Sequence, residues 1–278
     1  MFARPGSAVF VPDGVAVADA LARTTHLGVG AHADDLEIMA IHGILACHAD
    51  DERWFCGAIV TDGTGGPAGS VPLDQGTLRE LRRAEQERAA TLGRYGAQIF
   101  LDYASADVKA SSERAVVSDL VTLLRATRPE VVYTHALTDA HDTHVAVALR
   151  LVAACRELPA AERPARVLGC EVWRDLDWLA SEDKVCLPVD ERPELQAALL
   201  AVFESQLTVK SYASAALGRR AAHAVFSESD AADRHRAVVW AMDLSPLVSE
   251  AGSTSDFVRG LVRRLEDDTL ARVARLSK

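Results

Sequence analysis

The chain has 278 residues, 49% hydrophobic and 25% charged, a balance ordinary for a globular enzyme with a sizeable core. Its net charge of −10 argues against general nucleic-acid binding, which needs a basic surface, and leaves room for a small phosphorylated ligand. No apolar run has the length of a membrane span, and residues 1–13, with Pro5, Pro12 and Asp13, lack the apolar core of a secretion signal.

Five cysteines, Cys47, Cys56, Cys155, Cys170 and Cys186, show no C-x-x-C spacing and read as small buried hydrophobes in a reducing compartment. The expectation is a cytoplasmic protein. Residues 15–22 read as a short lead-in helix and 27–31 as the first strand. A helix over 36–48 follows, with Leu36, Met39, Ala40, Ile44 and Cys47 near helical spacing. Residues 54–61 have the continuous apolar centre of a strand covered on both faces. Then comes a Gly/Pro loop, Asp62-Gly63-Thr64-Gly65-Gly66-Pro67-Ala68-Gly69, of a length usually reserved for function. A charged helix spans 77–94 and a third strand 98–103. A helix over 111–126 carries one apolar face (Val116, Val117, Leu120, Leu123, Leu124) and is stopped by Pro129.

Residues 130–134 are the fourth strand, 142–155 a helix, 167–173 and 185–189 strands, and 194–207 a helix. No strand is read in residues 211–278. The amphipathic segment 255–276 (Phe257, Leu261, Leu265, Leu270, Val273) reads as a packed helix or a homo-oligomer contact, because its polar face mixes both signs. The alternation predicts an α/β fold, a Rossmann-like, mainly parallel, doubly wound sheet. A catalytic domain over 1–210 and a C-terminal helical extension over 211–278 are expected.

The first strand runs into Gly30-Ala31-His32-Ala33-Asp34-Asp35-Leu36-Glu37, and the fourth into Thr134-His135-Ala136-Leu137-Thr138-Asp139-Ala140-His141-Asp142-Thr143-His144. Open α/β proteins build sites outside the carboxyl ends of their strands, and a parallel sheet brings both segments to one edge. His32 and Asp35 supply two ligands and His144 a third, leaving a position for water, which is the composition of a catalytic zinc site. Asp34 is then placed to take a proton from water, and His141, one helical turn before His144, to face the same pocket.

Plainer readings apply to the neighbours. Adjacent acids at a helix start are favourable N-terminal charges, the role expected of Glu37. His42 and His48 lie further down the helix as structural or exposed residues, and His26, His223 and His235 offer no ligand spacing. Gly28-Val29-Gly30-Ala31-His32-Ala33 also fits G-x-G-x-x-A, with Asp50 or Asp51 where a ribose-binding acid stands, but Asp34 and Asp35 would repel a pyrophosphate there. No nucleotide cofactor is expected. Arg82, Arg83, Glu85 and Glu87 read as a solvated helix face, with one Arg in reach of a substrate over the Gly-rich loop. Residues 62–70 and 173–183 are the expected pocket lining.

Taken together these residues resemble the PIG-L/LmbE-like deacetylase family. Its first motif, A-H-P-D-D-E or A-H-x-D-D-x-E, stands here as Ala31-His32-Ala33-Asp34-Asp35-Leu36-Glu37, and its second, H-P-D-H or H-x-x-H, as His141-Asp142-Thr143-His144. Thr61-Asp62-Gly63 is similar to its T-D-G segment and Arg82-Arg83-Ala84-Glu85 to its R-x-x-E helix, so the similarity covers about residues 24–210. The resemblance implies zinc, or another divalent metal such as iron, held by His32, Asp35 and His144. It implies Asp34 as general base, and His141 as the group that protonates the leaving amine or stabilises the tetrahedral intermediate. The implied reaction is hydrolysis of an N-acyl group, most often N-acetyl on a glucosamine-type small molecule.

Three departures stand out. Thr143 replaces the acid many members carry before the last His, with Asp142 pointing elsewhere on a helix. Met39, Ile41 and His42 fill a stretch often rich in Gly. Asp139, not Tyr, stands two positions before His141, so an oxyanion donor of that kind is missing. The rival readings are another metal-dependent amide or ester hydrolase and a non-catalytic sugar- or nucleotide-binding module.

Overall fold

The computed structural model describes residues 2–65, 73–207, 210–227, 229–249 and 252–278. In chain order come β1 (Ala8–Phe10), α1 (Val17–Ala22), β2 (His26–Gly30), α2 (Asp35–Met39), α3 (Ile41–His48), β3 (Phe55–Thr61), α4 (Gln75–Leu92) and β4 (Ala97–Tyr103). Next are α5 (Ser105–Lys109), α6 (Arg114–Thr127), β5 (Val131–His135), α7 (Asp142–Glu157), β6 (Arg166–Cys170) and β7 (Val185–Pro188). The chain continues with α8 (Pro193–Ala201), α9 (Glu204–Leu207), α10 (Tyr212–Val225), β8 (Val238–Asp243), α11 (Ser245–Ser249) and α12 (Thr254–Leu276).

The strands form one eight-stranded sheet in the order β1-β4-β3-β2-β5-β6-β8-β7. The central run β4-β3-β2-β5-β6 is parallel, and β1 and β8 lie antiparallel to their neighbours. From β2 the chain steps outward to β3 and β4, then returns to the other side of β2 as β5. That reversal opens a crevice at the carboxyl ends of β2 and β5, where ligands bind in open α/β sheets.

Two apolar layers enclose the sheet. On one face Leu21, Leu120, Leu124, Val147 and Leu151 pack over Leu27, Val29, Ala58 and Ile99. On the other, Leu36, Ile44, Leu199 and Phe203 pack over Phe55, Ile59, Tyr133 and Leu168. Both faces of β2 and β3 are covered, which accounts for the unbroken apolar runs that mark them. Gly28 and Gly57 are needed for close approach on this second face: a Cβ would lie 2.9 Å from Leu36 at Gly28 and 2.6 Å from it at Gly57. The missing side chains seat Leu36, fully buried and contributing about 1.5–3 kcal/mol, and thereby fix the start of α2.

Several expectations are corrected. β8 is a strand where none was read beyond residue 210; its short apolar run, Val238-Val239-Trp240-Ala241-Met242, has no period that separates strand from buried helix. β1 and α5 are too short to show a pattern. The helix expected over 36–48 breaks at Ala40, and that over 194–207 divides into α8 and α9. All five cysteines are free, but Cys186 is exposed, not buried. Among the described residues no helix is long and apolar enough to cross a membrane.

Candidate active site

At the end of β2 the chain turns sharply. Asp34 adopts a left-handed backbone, φ 82°, and α2 begins at Asp35. The carboxylate of Asp35 folds back over the strand end, where its Oδ2 accepts the N–H groups of Ala31 (3.0 Å) and His32 (2.6 Å). Burial alone would raise its pKa; the imidazoles of His144 and His135, with side-chain hydrogen bonds from His135 and His32, hold it well below the carboxylate range instead. Asp34 behaves oppositely. Burial, then the charges of Asp35 and Glu37, push its pKa well up, against the pull of Arg82.

β5 delivers the second half of the site. His135, its last residue, is fully buried and stacks on His144 with ring centroids 3.9 Å apart. His141 caps α7 and His144 lies in its first turn, so His141 is an extended-backbone residue and not one helical turn back as expected. The two rings nevertheless meet, 4.5 Å between centroids. Asp139 accepts the N–H of His141 at 2.9 Å and that of Trp173 at 3.0 Å, and its Oδ2 lies 3.5 Å from Nδ1 of His144. Burial lowers the pKa of His144 to about 4, with Asp35 pulling the other way, so the ring is neutral. A proton on Nδ1 facing Asp139 leaves the Nε2 lone pair pointing at the centre.

Nδ1 of His32 lies 3.2 Å from Nε2 of His144 and 3.4 Å from Oδ2 of Asp35, and Nε2 of His144 lies 3.4 Å from Oδ1 of Asp35. A tetrahedral ion with ligand distances of about 2.0–2.1 Å has edges of about 3.3–3.4 Å. The two imidazole nitrogens have the spacing of such an edge, and Asp35 offers a different oxygen to each, Oδ2 to His32 and Oδ1 to His144, so the three side chains are of a kind and spacing that suit a zinc-type ion. Two overlapping groups, His32 with His141 and His144 and Asp35 with His135 and His144, each bring their donor atoms within 4.8 Å. His135 is less suited to bind, because its Nε2 already accepts the Ala31 N–H at 2.9 Å.

Residues 27–155 match the PIG-L family, described as GlcNAc-PI de-N-acetylase. The matched stretch, a little under half of the chain, is similar to that family and includes both halves of the site. No curated protein matches the chain in sequence. Among solved structures, it is similar to the N,N'-diacetylchitobiose deacetylase of Pyrococcus horikoshii, at 16% identity and TM-score 0.64, over 84% of this chain and 88% of that one. It is also similar to the 4-carboxy-2-hydroxymuconate hydratase of Pseudomonas putida, at 17% identity and TM-score 0.62, over 80% and 96%. A third is the A40926 pseudoaglycone deacetylase, at 18% identity and TM-score 0.58, over 80% and 97%. At these identities the likeness is one of fold.

Within residues 27–155, the Gly-rich pattern of β2 serves packing against α2, and Asp34 and Asp35 occupy the helix start that a pyrophosphate would need. The site opens into a cavity of about 580 Å³ whose wall includes Ile38, Arg82, Trp173, Tyr212 and Ala216. Of the expected lining, Gly65 and Trp173 contribute, and residues 66–70 lie outside the described residues.

Two polar groups read as solvent-facing turn inward. Arg82 donates to the Gly63 carbonyl and is buried, as is Glu85, which accepts the Ser205 N–H and Oγ at 2.8 and 2.6 Å. Glu37 does more than favour a helix start. It is fully buried, its Oε1 accepting from Gln86 Nε2 at 2.8 Å and from Tyr95 OH at 2.7 Å, and burial raises its pKa to about 7. Gln86 Oε1 in turn lies 3.4 Å from the Asp34 N–H. His135 and Gln86 were not singled out from the sequence, and Asp139 was noted only for standing in place of a Tyr. Gln86 did leave a signal: with Leu78, Arg82, Glu85 and Ala89 it lies on the buried stripe of α4, where polar residues need a reason.

Proposed function

We propose that the chain is a metal-dependent N-deacetylase acting on an amino-sugar-type small molecule. The convergence of His32, Asp35 and His144, with donor atoms 3.2–3.4 Å apart and the buried Asp34 beside them, carries this reading. The PIG-L match and the fold shared with two deacetylases support it. Five free cysteines support a reducing, cytoplasmic setting.

His32, Asp35 and His144 would hold the ion, zinc or another divalent metal such as iron. Once bound, that ion polarises the acyl oxygen and lowers the pKa of its water. The protein's own residues carry the protons. Asp34 accepts one at its carboxylate from the attacking water and returns it to the amine nitrogen as the C–N bond breaks. Its buried position suits a group that must hold a proton between these events. His141, with its ring centroid 5.1 Å from that of His32 on the cavity wall, donates a hydrogen bond to the reacting acyl group or to the leaving amine.

Acetate release from N-acetylated sugars tests the reading. Asp34→Asn is expected to keep bound metal and lose at least about a hundredfold in kcat. Retained turnover removes Asp34 from the proton path, and acetate release that survives complete chelation removes the metal.

A further inference from the structure

A chain with 40 acidic and 30 basic residues would be expected to place acids on most of its surfaces. Its cavity wall departs from that. Apart from Asp34 and Asp35, which belong to the centre, no acid lines it among the described residues, whereas Arg82, Lys210 and Arg219 do. Arg82 is engaged with the Gly63 carbonyl, close to Asp34. Lys210 and Arg219 are different: neither has a carboxylate partner among the described residues, and both are held against one short segment. Lys210 Nζ sits 4.4 Å from the Trp173 ring centre, and Arg219 donates to the Val172 carbonyl at 2.6 Å.

Trp173 joins these cations to the centre. It is 43% exposed, a costly place for an indole that serves packing alone. Its ring stacks with His141 at 6.3 Å and 20° and meets Tyr212 edge-on at 6.0 Å. A molecule whose acyl group lies at the metal ligands and whose body rests on Trp173 therefore carries its far end towards Lys210 and Arg219. Ile38, Val172, Ala215 and Ala216 supply apolar wall and Gln206, Ser211 and Tyr212 uncharged polar groups, so Lys210 and Arg219 are, with Arg82, the charged contacts away from the centre among the described residues. Two cations without a carboxylate partner among the described residues, on the cavity wall of an acidic protein, make a local positive field that concentrates anions.

We infer that the amine portion of the substrate carries an anionic group, phosphate or carboxylate, recognised by Lys210 and Arg219 while Trp173 takes the face of its ring. This rests on the deacetylase reading above.

The test compares the metal-loaded protein on N-acetylglucosamine 1-phosphate, N-acetylmuramic acid and neutral methyl N-acetylglucosaminide. The two anionic compounds distinguish phosphate from carboxylate. At least one of them is expected to exceed the neutral sugar in kcat/KM by about tenfold, with the ratio falling as salt rises. Lys210→Glu should bring the ratio to one or below. Calorimetry of glucosamine 1-phosphate, muramic acid and methyl glucosaminide gives a readout independent of turnover.

Equal kcat/KM on all three compounds overturns the anion inference and leaves the deacetylase standing. If none is hydrolysed but an anionic amine binds more tightly than the neutral one, the deacetylase reading fails and the anion wall stands. No hydrolysis and equal binding overturn both, and a ratio unmoved by Lys210→Glu overturns the role of Lys210.

Discussion

The carboxylate of Asp139 lies 3.5 Å from Nδ1 of His144, while Nε2 on the other side of that ring lies 3.4 Å from Asp35. One imidazole thus lies between an outer acid and the His32–Asp35 pair, an arrangement that favours the proton on Nδ1. Thr143 replaces the acid expected just before His144, and the chain supplies a carboxylate from the preceding loop instead. The residue that takes the place of an oxyanion-donating tyrosine is the one whose carboxylate faces the outer nitrogen of His144.

Asp139→Asn should therefore weaken metal binding by about 10–100-fold, read by chelator competition, with little change in fold. Unchanged affinity would show that Asp139 holds only the backbone of His141 and Trp173.

Gln86 joins Glu37 to the left-handed turn at Asp34. Gln86→Leu removes one of the two hydrogen bonds to the buried Glu37 Oε1, leaving that from Tyr95, and frees the Asp34 backbone. Stability should fall by about 1–3 kcal/mol in urea, and kcat by roughly tenfold with KM and metal content kept. A loss of stability with kcat intact would make Gln86 a packing residue alone.

Acid stability is set partly by two histidines away from the centre. Burial, joined by Arg53 for His26 and by His26 and Arg166 for His42, lowers each pKa to about 4 from the ordinary 6.5. Nδ1 of His26 contacts Thr25 Oγ1, and Nδ1 of His42 contacts the Tyr133 hydroxyl, both at 2.9 Å. Between pH 6.5 and 4 the unfolded chain binds the more protons, so their contribution is complete above 6.5 and is lost as pH falls towards 4. The loss is on the order of 3 kcal/mol per histidine. Urea titrations at pH 7, 5.5 and 4.5 should show it, and His42→Asn should flatten the slope. An unchanged slope would assign the acid sensitivity elsewhere.

The centre was legible where local and global signals agreed. His32, Asp34 and Asp35 follow a buried strand, His141 and His144 follow another, and a parallel sheet has one carboxyl edge. The two histidines of the second segment meet His32 and Asp35 at that edge, and Asp34 lines the same cavity. Partners whose role depends on distance through space were not legible. Asp139 looked like a lost tyrosine, Glu37 like a helix-start charge, and Arg82 and Glu85 like a solvated face, because nothing local says which side of α4 meets α2. β8 escaped for a related reason: a short buried run has no period to read, and only its insertion between β6 and β7 makes it a strand.

The most direct measurement is a metal titration of the stripped protein, with acetate release from an N-acetylated amino sugar as readout. Activity absent at the start should rise and reach a plateau at about one divalent ion per chain, and His144→Ala should abolish the rise. Full acetate release before any ion is added, or a rise that His144→Ala leaves unchanged, would contradict the centre formed by His32, Asp35 and His144.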